Sequence, residues 1–308
     1  MPTVLVFVAS VCMSTLALLA LTDEDGAPNK TTFLRRSAHD MGWRIHFMRL
    51  NRSLRLDRES AYAAKIPKAL SVLRNDTSED SIYMMVDAFD TFVLSTPQEA
   101  LKRFHSLKSS VVWAAQSLMV YNQGINKALF DDEAIIEAGT YKRDLSSRGV
   151  ECINGVCRHR HRYLNAGGVI GYRKSLINMF EHIESIRDEA LLNVGWRNRH
   201  NLCVRGNGRQ CAEQWAALHV LSHVSWKELG VTLDYESKLF YTADWSVERS
   251  LKHVDTSAPA VLHMTFIIAP KVRNTFTRLY DRLVLKRSIP THMECLREEA
   301  LCASHHTH

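Results

Sequence analysis

An α/β domain with a mixed, mostly parallel sheet flanked by helices is what the sequence predicts, and three observations carry that expectation. Short apolar runs of strand length alternate with longer helix-like stretches along the chain. Two of those runs, SIYMMV (Ser81–Val86) and SSVVWAAQ (Ser109–Gln116), are apolar almost throughout. That pattern belongs to strands covered on both faces, as in the layered α/β folds. The first of these runs is followed at once by two aspartates in D-x-x-D spacing, Asp87 and Asp90.

The elements follow in order. LALLALT (Leu16–Thr22) has the character of a buried first strand, and a polar, turn-rich link leads from it to FLRRSAHDMG, a helix ending at Gly42. WRIHFMRL alternates and is expected as a strand, and a helix over Glu59–Leu73 follows, in which Pro67 must start or kink the helix. After SIYMMV, a Pro-initiated helix runs Pro97–Leu107, then the SSVVWAAQ strand. The second half offers YLNAGGVIGY (Tyr163–Tyr172), a helix from Lys174 to Leu192, a Gly/Asn/Cys-rich loop, and a helix over Glu213–Ser222. VTLDYESKLFYT and PAVLHMTF supply two more strands.

Composition narrows the class. With 308 residues and 46% hydrophobic content the chain buries one substantial core, and 13 Gly and 7 Pro exclude collagen-like or disordered composition. The formal charge of +6 is dispersed, apart from Arg158-His159-Arg160-His161-Arg162, a cluster best accounted for as a solvated basic loop. Nucleic-acid binding calls for a larger excess on one face with stacking partners, so no nucleic-acid partner is expected.

Six of the seven cysteines form close pairs, Cys152 with Cys157, Cys203 with Cys211, and Cys295 with Cys302. Each brackets a short loop able to bring two Cα atoms within disulfide reach, and no C-x-x-C occurs to suggest zinc. Local bridges imply an oxidising compartment. Val4–Thr22 is free of charge and long enough for a signal peptide or marginal anchor, although no Lys or Arg precedes it and its second half competes with the first strand. Membrane association through residues 4–22 is thus one expectation. Sequons at Asn29, Asn51 and Asn75 permit glycosylation. The secretory lumen, endoplasmic reticulum or Golgi, follows as the expected location, whether the chain is anchored or secreted.

Chemistry concentrates at three places. Asp87 and Asp90 end a buried strand, where open α/β sheets form their ligand crevice, and hard carboxylate oxygens suit Mn²⁺ or Mg²⁺. Gly167 and Gly168 remove side chains inside an apolar segment, where backbone or ligand must come close. Beside them Asn165 either offers a donor and an acceptor to a ligand's hydroxyls or is the structural Asn of a β-bulge. His263, ending the run PAVLH, is either a packed residue or a third metal ligand, which as neutral imidazole would lose metal below about pH 6.5.

These segments together resemble a known family. VDAFDTFV, YLNAGGVIGY and GVTLDYESKLFYT are similar, in order, to segments of the glycosyltransferase domain of procollagen lysyl hydroxylases. The resemblance implies a GT-A (nucleotide-diphospho-sugar transferase) fold over residues 16–285, with residues 1–22 an apolar N-terminal segment and 286–308 a tail. It further implies Mn²⁺-dependent transfer of a hexosyl group from a UDP-sugar to a hydroxyl acceptor on a protein or glycan. Asp87, Asp90 and His263 would hold the metal. Phe89, where the family carries Tyr, would line the uridine pocket, Lys65 would approach the diphosphate, and Thr22 would lie near the base. Gly167 and Gly168 would flank the donor, and Asn165 and Glu213 would position the sugar, with Glu213 the base if configuration is inverted.

Two departures accompany the likeness. Ala212-Glu213-Gln214 stands where the family has D-D-Q, and Met264-Thr265-Phe266 follows His263 in place of a glycine-bearing H-G-N-G loop. Lys271 is a loose counterpart of the basic residue after that loop. Only a short tail follows Tyr280, so the hydroxylase activity of that family is not expected. A catalytically silent domain that binds a nucleotide-sugar or a protein is the alternative.

Overall fold

The computed structural model describes residues 16–23, 32–50, 58–117, 129–130, 150–153, 156–193, 213–243 and 258–264. Within them lie strands β1 (Leu16–Asp23), β2 (Ile45–Leu50), β3 (Ile82–Asp87), β4 (Thr91–Val93), β5 (Val111–Gln116), β6 (Val150–Ile153), β7 (Val156–His159), β8 (Tyr163–Tyr172), β9 (Val231–Leu233), β10 (Phe240–Thr242) and β11 (Val261–His263). The helices are α1 (Thr32–Asp40), α2 (Arg58–Asn75), α3 (Pro97–Ser106), α4 (Arg173–Asn193) and α5 (Glu213–His223).

A six-stranded sheet in the order β2-β1-β3-β8-β5-β9 forms the centre, and β10-β11-β4 forms a small second sheet. In the large sheet β1 runs parallel to β2 and β3, and β5 parallel to β9, whereas β8 is antiparallel to both its neighbours. The mixed, mostly parallel α/β layering expected from the alternation is therefore present. LALLALT lies in the strand β1, second from one edge of the sheet and bonded on both sides.

Both faces of that sheet are covered, which is why its strands are apolar without alternation. Leu18, Ala20, Ile82, Met84, Val86, Val112 and Ala114 pack on one face with Leu34 and Ala38 of α1, Phe104 of α3, and the small sheet. Leu19, Tyr83, Met85, Val111, Trp113 and Ala115 pack on the other with residues of α2, α4 and α5. Each large side chain so buried contributes about 1.5–3 kcal/mol.

Local signals hold the helices in place. Thr96 caps α3 by accepting the Glu99 N–H at 3.3 Å, with Pro97 in the first turn. Past α1, Gly42 takes φ +75° and Trp43 N–H reaches back to Ala38 O at 2.8 Å, closing the helix. Arg103 of α3 donates to Lys238 O at 3.0 Å and to Ala258 O, pinning the approaches to β10 and β11.

One expectation is corrected. VTLDYESKLFYT is two strands, β9 and β10, in different sheets. The chain breaks at Asp234, whose carboxylate accepts N–H groups from Lys238, Leu239 and Phe240 at 2.9, 2.6 and 2.7 Å and so turns the segment sharply. Of the two roles open to Pro67, starting the helix is excluded, since it lies inside α2. The residues after D-A-F-D form β4, because Thr91–Val93 find an antiparallel partner in β11.

Cys152 and Cys157 face each other across the β6–β7 hairpin and are joined by a disulfide. The other two cysteine pairs, Asn29, Asn51 and Lys271 lie outside the described residues. No helix among the described residues is long and apolar enough to cross a membrane.

Candidate metal centre

The site lies where the large sheet hands the chain to the small one. β3 ends in Asp87 at the sheet's carboxyl edge, the next residues turn, and β4 enters the second sheet with Thr91 opposite His263. Met264 N–H bonds to Asp90 O at 2.8 Å, so backbone pairing fixes the spacing between Asp90 and His263.

Asp87, Asp90 and His263 converge, each offering one ligand atom within 4.8 Å of the others. His263 Nε2 lies 3.3 Å from Asp87 Oδ2 and 3.5 Å from Asp90 Oδ1. The imidazole is 5% exposed, while the two carboxylates are 28% and 27% exposed, so the cluster opens to solvent on its acidic side. Two carboxylates and an imidazole match the oxygen-rich, partly nitrogenous donor sets that take Mn²⁺ or Mg²⁺. These residues fit a divalent cation.

Lys65 stands behind the cluster. Its ammonium, 1% exposed, donates to Asp87 Oδ1 at 2.6 Å and to Ala166 O at 2.8 Å. Burial would raise the Asp87 pKa, but Lys65 and His263 outweigh it and hold the carboxyl below the usual range. Burial would lower His263, and the Asp90 and Asp87 carboxylates overcome it, pushing the imidazole up to about 10. Without a cation, two carboxylates thus face one ammonium and one imidazolium. A divalent ion that displaces the Nε2 proton leaves the cluster with net positive charge, suited to an anion.

The glycine segment explains how the imidazole gets so close. Trp113 pairs with Val169 but Ala114 pairs with Asn165, so β8 advances four residues where β5 advances one. Ala166, Gly167 and Gly168 form this bulge. A Cβ on Gly167 would lie 2.0 Å from His263 Cε1, and one on Gly168 would lie 2.5 Å from a Phe240 ring carbon. Among the described residues, what approaches the two glycines is the protein's own imidazole and ring. Asn165, 5% exposed, lies in the bulge with Oδ1 accepting from Gly167 N–H at 2.8 Å and 3.0 Å from His263 Nδ1. Of the two readings open for it, the structural one matches these contacts.

The remaining expected residues are placed as follows. Phe89 is 45% exposed on the turn between β3 and β4, beside the carboxylates. Thr22 is buried at the end of β1, one residue past Leu21, the partner of Asp87. Glu213 opens α5, and its neighbour Gln214 accepts the Ala166 N–H at 3.1 Å, joining that helix to the bulge. Gln214 and Gln116 were not among the expected site residues. The only signal for Gln116 is a polar side chain closing the otherwise apolar VVWAAQ, and its amide is buried.

No protein-family model matches the sequence, and no curated protein matches it. Solved structures similar to it include a glycosyltransferase involved in glycosylation of the major capsid of PBCV-1, at 10% identity, covering 85% of this chain and 99% of that one, with a TM-score of 0.43. The bifunctional glycosyltransferase WbbM is 10% identical over 83% of this chain and 46% of its own, and mouse xyloside xylosyltransferase 1 is 9% identical over 82% and 98%, both with a TM-score of 0.43. Likeness of this degree carries no argument about activity, which rests on the residues themselves.

Proposed function

We propose that the chain is a metal-dependent GT-A glycosyltransferase, related to the lysyl hydroxylase transferase domain, that moves a hexosyl group from a UDP-sugar to a hydroxyl acceptor on a protein or glycan. The observation that carries this reading is the convergence of Asp87, Asp90 and His263 at the carboxyl edge of the sheet. A divalent cation bound there supplies Lewis-acid neutralisation of the departing diphosphate. Lys65 fixes Asp87 and offsets its charge. Phe89 and Thr22 border the nucleotide side, the bulge at Gly167 and Gly168 seats His263, and Glu213 is the candidate for positioning the sugar or, in an inverting reaction, for the base.

The lumen of the secretory pathway is the location we assign, on the strength of the Cys152–Cys157 bridge. Peptide mapping without reduction of protein from a secreting cell tests it. Linked Cys152 and Cys157 fragments support the lumen, and free thiols at both positions oppose it.

UDP release from a panel of UDP-hexoses, with Mn²⁺ and with EDTA, tests the activity. Metal-dependent release that vanishes in Asp90→Ala is the expected result, and release indifferent to EDTA overturns the proposal. A second reading, a nucleotide-binding domain without transfer, is favoured by Met264, which is buried directly after His263 where the resembled family has glycine. Mn²⁺-dependent UDP binding with no release from any donor selects that reading.

A further inference from the structure

We infer that Gln116 is a positioning residue for the metal centre, acting through Asn165 to decide which nitrogen of His263 faces the carboxylates. The inference rests on the metal site proposed above. It starts from two backbone groups whose hydrogen-bonding roles have no alternative. A carbonyl only accepts, and an N–H only donates.

Leu164 O sits 3.3 Å from one end of the Gln116 amide, so that end is the nitrogen, Nε2. The other end, Oε1, then accepts from Asn165 Nδ2 at 2.8 Å. At the far end of Asn165, the Gly167 N–H points at Oδ1 from 2.8 Å, which requires an oxygen there. Both constraints agree on the orientation of both amides. His263 Nδ1, 3.0 Å from that same Oδ1, must therefore carry the proton and donate. Nε2 is left to face Asp87 and Asp90. When a cation enters, Nε2 is the nitrogen that gives up its proton, while Nδ1–H stays bonded to Asn165. A metal-ligating histidine is commonly oriented by an outer partner on its second nitrogen, and loss of such partners costs about 10–100-fold in metal affinity.

Gln116 and Asn165 are each 5% exposed, so the relay is shielded from water that could replace a missing link. Two groups hold the Asn165 amide in this orientation, and removing the Gln116 oxygen leaves the Gly167 N–H alone to keep Oδ1 toward His263. Each excursion of that less firmly held amide would turn NH₂ toward Nδ1 and favour the tautomer with the proton on Nε2, where the cation must bind.

Calorimetric titration of the full chain with Mn²⁺ alone tests this, with thermal unfolding of each metal-free variant as the control for folding. Gln116→Met keeps the shape and removes the amide, and its Mn²⁺ dissociation constant should rise about 10–100-fold. Gln116→Glu should restore near-wild-type affinity, because a buried carboxylic acid stays protonated and presents the same donor and acceptor. Asn165→Asp retains the acceptor for His263 and should bind Mn²⁺ at least as tightly as wild type, which keeps the proposal testable if Gln116→Met does not fold. Gln116→Met that loses thermal stability but keeps wild-type Mn²⁺ affinity overturns the relay, as does loss of binding in Asn165→Asp. Wild-type protein that takes up no Mn²⁺ removes the metal site itself and the relay with it.

Discussion

Asp87 ends the apolar strand β3 and Asp234 follows β9, at the same edge of the same sheet, yet they do opposite things. Asp234 is fully buried, and its carboxylate is consumed by three backbone N–H groups that turn the chain from β9 into β10. Burial pushes it up to about 6 against those donors. Asp87 is part-exposed and meets charged side chains, Lys65 behind and His263 in front, which hold it ionised well below the usual range. What separates a turn-former from a candidate ligand is therefore what surrounds it. Backbone donors saturate Asp234, whereas Asp87 shares its open side with a second carboxylate and an imidazole.

The largest expected effect is on Asp87. Asp87→Ala should abolish measurable Mn²⁺ uptake and also destabilise the protein by about 3 kcal/mol or more, since it leaves the buried Lys65 ammonium without its carboxylate. Adding Lys65→Met should recover stability in a denaturant titration and leave Mn²⁺ binding absent. Asp90→Ala should lose Mn²⁺ binding with little loss of stability. If Asp87→Ala unfolds at the wild-type denaturant concentration, the Lys65 pairing has been overvalued.

Asp234→Ala should show the reverse pattern. Losing an acceptor for three N–H groups should cost about 3 kcal/mol or more in chemical denaturation, while the folded protein still binds Mn²⁺. An Asp234 variant of unchanged stability that fails to bind metal would merge the two aspartates into one role and break the comparison.

Gly167→Ala follows in size. Its methyl would meet the His263 ring, so either the imidazole or the bulge must move, and Mn²⁺ affinity should fall about tenfold or more. Gly168→Ala should act on stability instead, because its obstruction is the Phe240 ring.

A graded effect, about tenfold for each step of one pH unit, concerns pH. An imidazole of ordinary basicity, the only assumption open to sequence, would lose its metal below about pH 6.5. Between two carboxylates His263 keeps its proton up to about 10 in the metal-free protein, so the cation must displace a proton throughout the neutral range. Mn²⁺ affinity should rise about tenfold per pH unit from 6 to 8. By the same linkage, metal-free protein gains stability from the imidazolium at neutral pH and loses it as pH rises toward 10. A Mn²⁺ affinity flat above pH 6.5 would place His263 outside the coordination sphere.

The sheet was legible because its strands are buried on both faces, leaving continuous runs such as SIYMMV and LALLALT. Asp87 and Asp90 were legible because a buried strand cannot continue into two carboxylates. The break at Asp234 was hidden, since LDYES and VDAFD look alike until their partners are known. Asn165 drew attention as a polar residue beside two glycines, but its partner His263 lies 98 residues away, a contact only the fold creates. Gln116 was less visible still. One glutamine at the end of an apolar strand carries no periodicity and no motif, and its meaning comes from Leu164 O and Asn165 across the bulge.

Diffraction from crystals soaked in Mn²⁺ and UDP, collected at the manganese absorption edge, tests the central claim most directly. The expected result is one anomalous peak bonded at about 2.0–2.4 Å to Asp87, Asp90 and His263 Nε2, with diphosphate oxygens completing the sphere. No peak there, in crystals where UDP is bound, would contradict the metal centre.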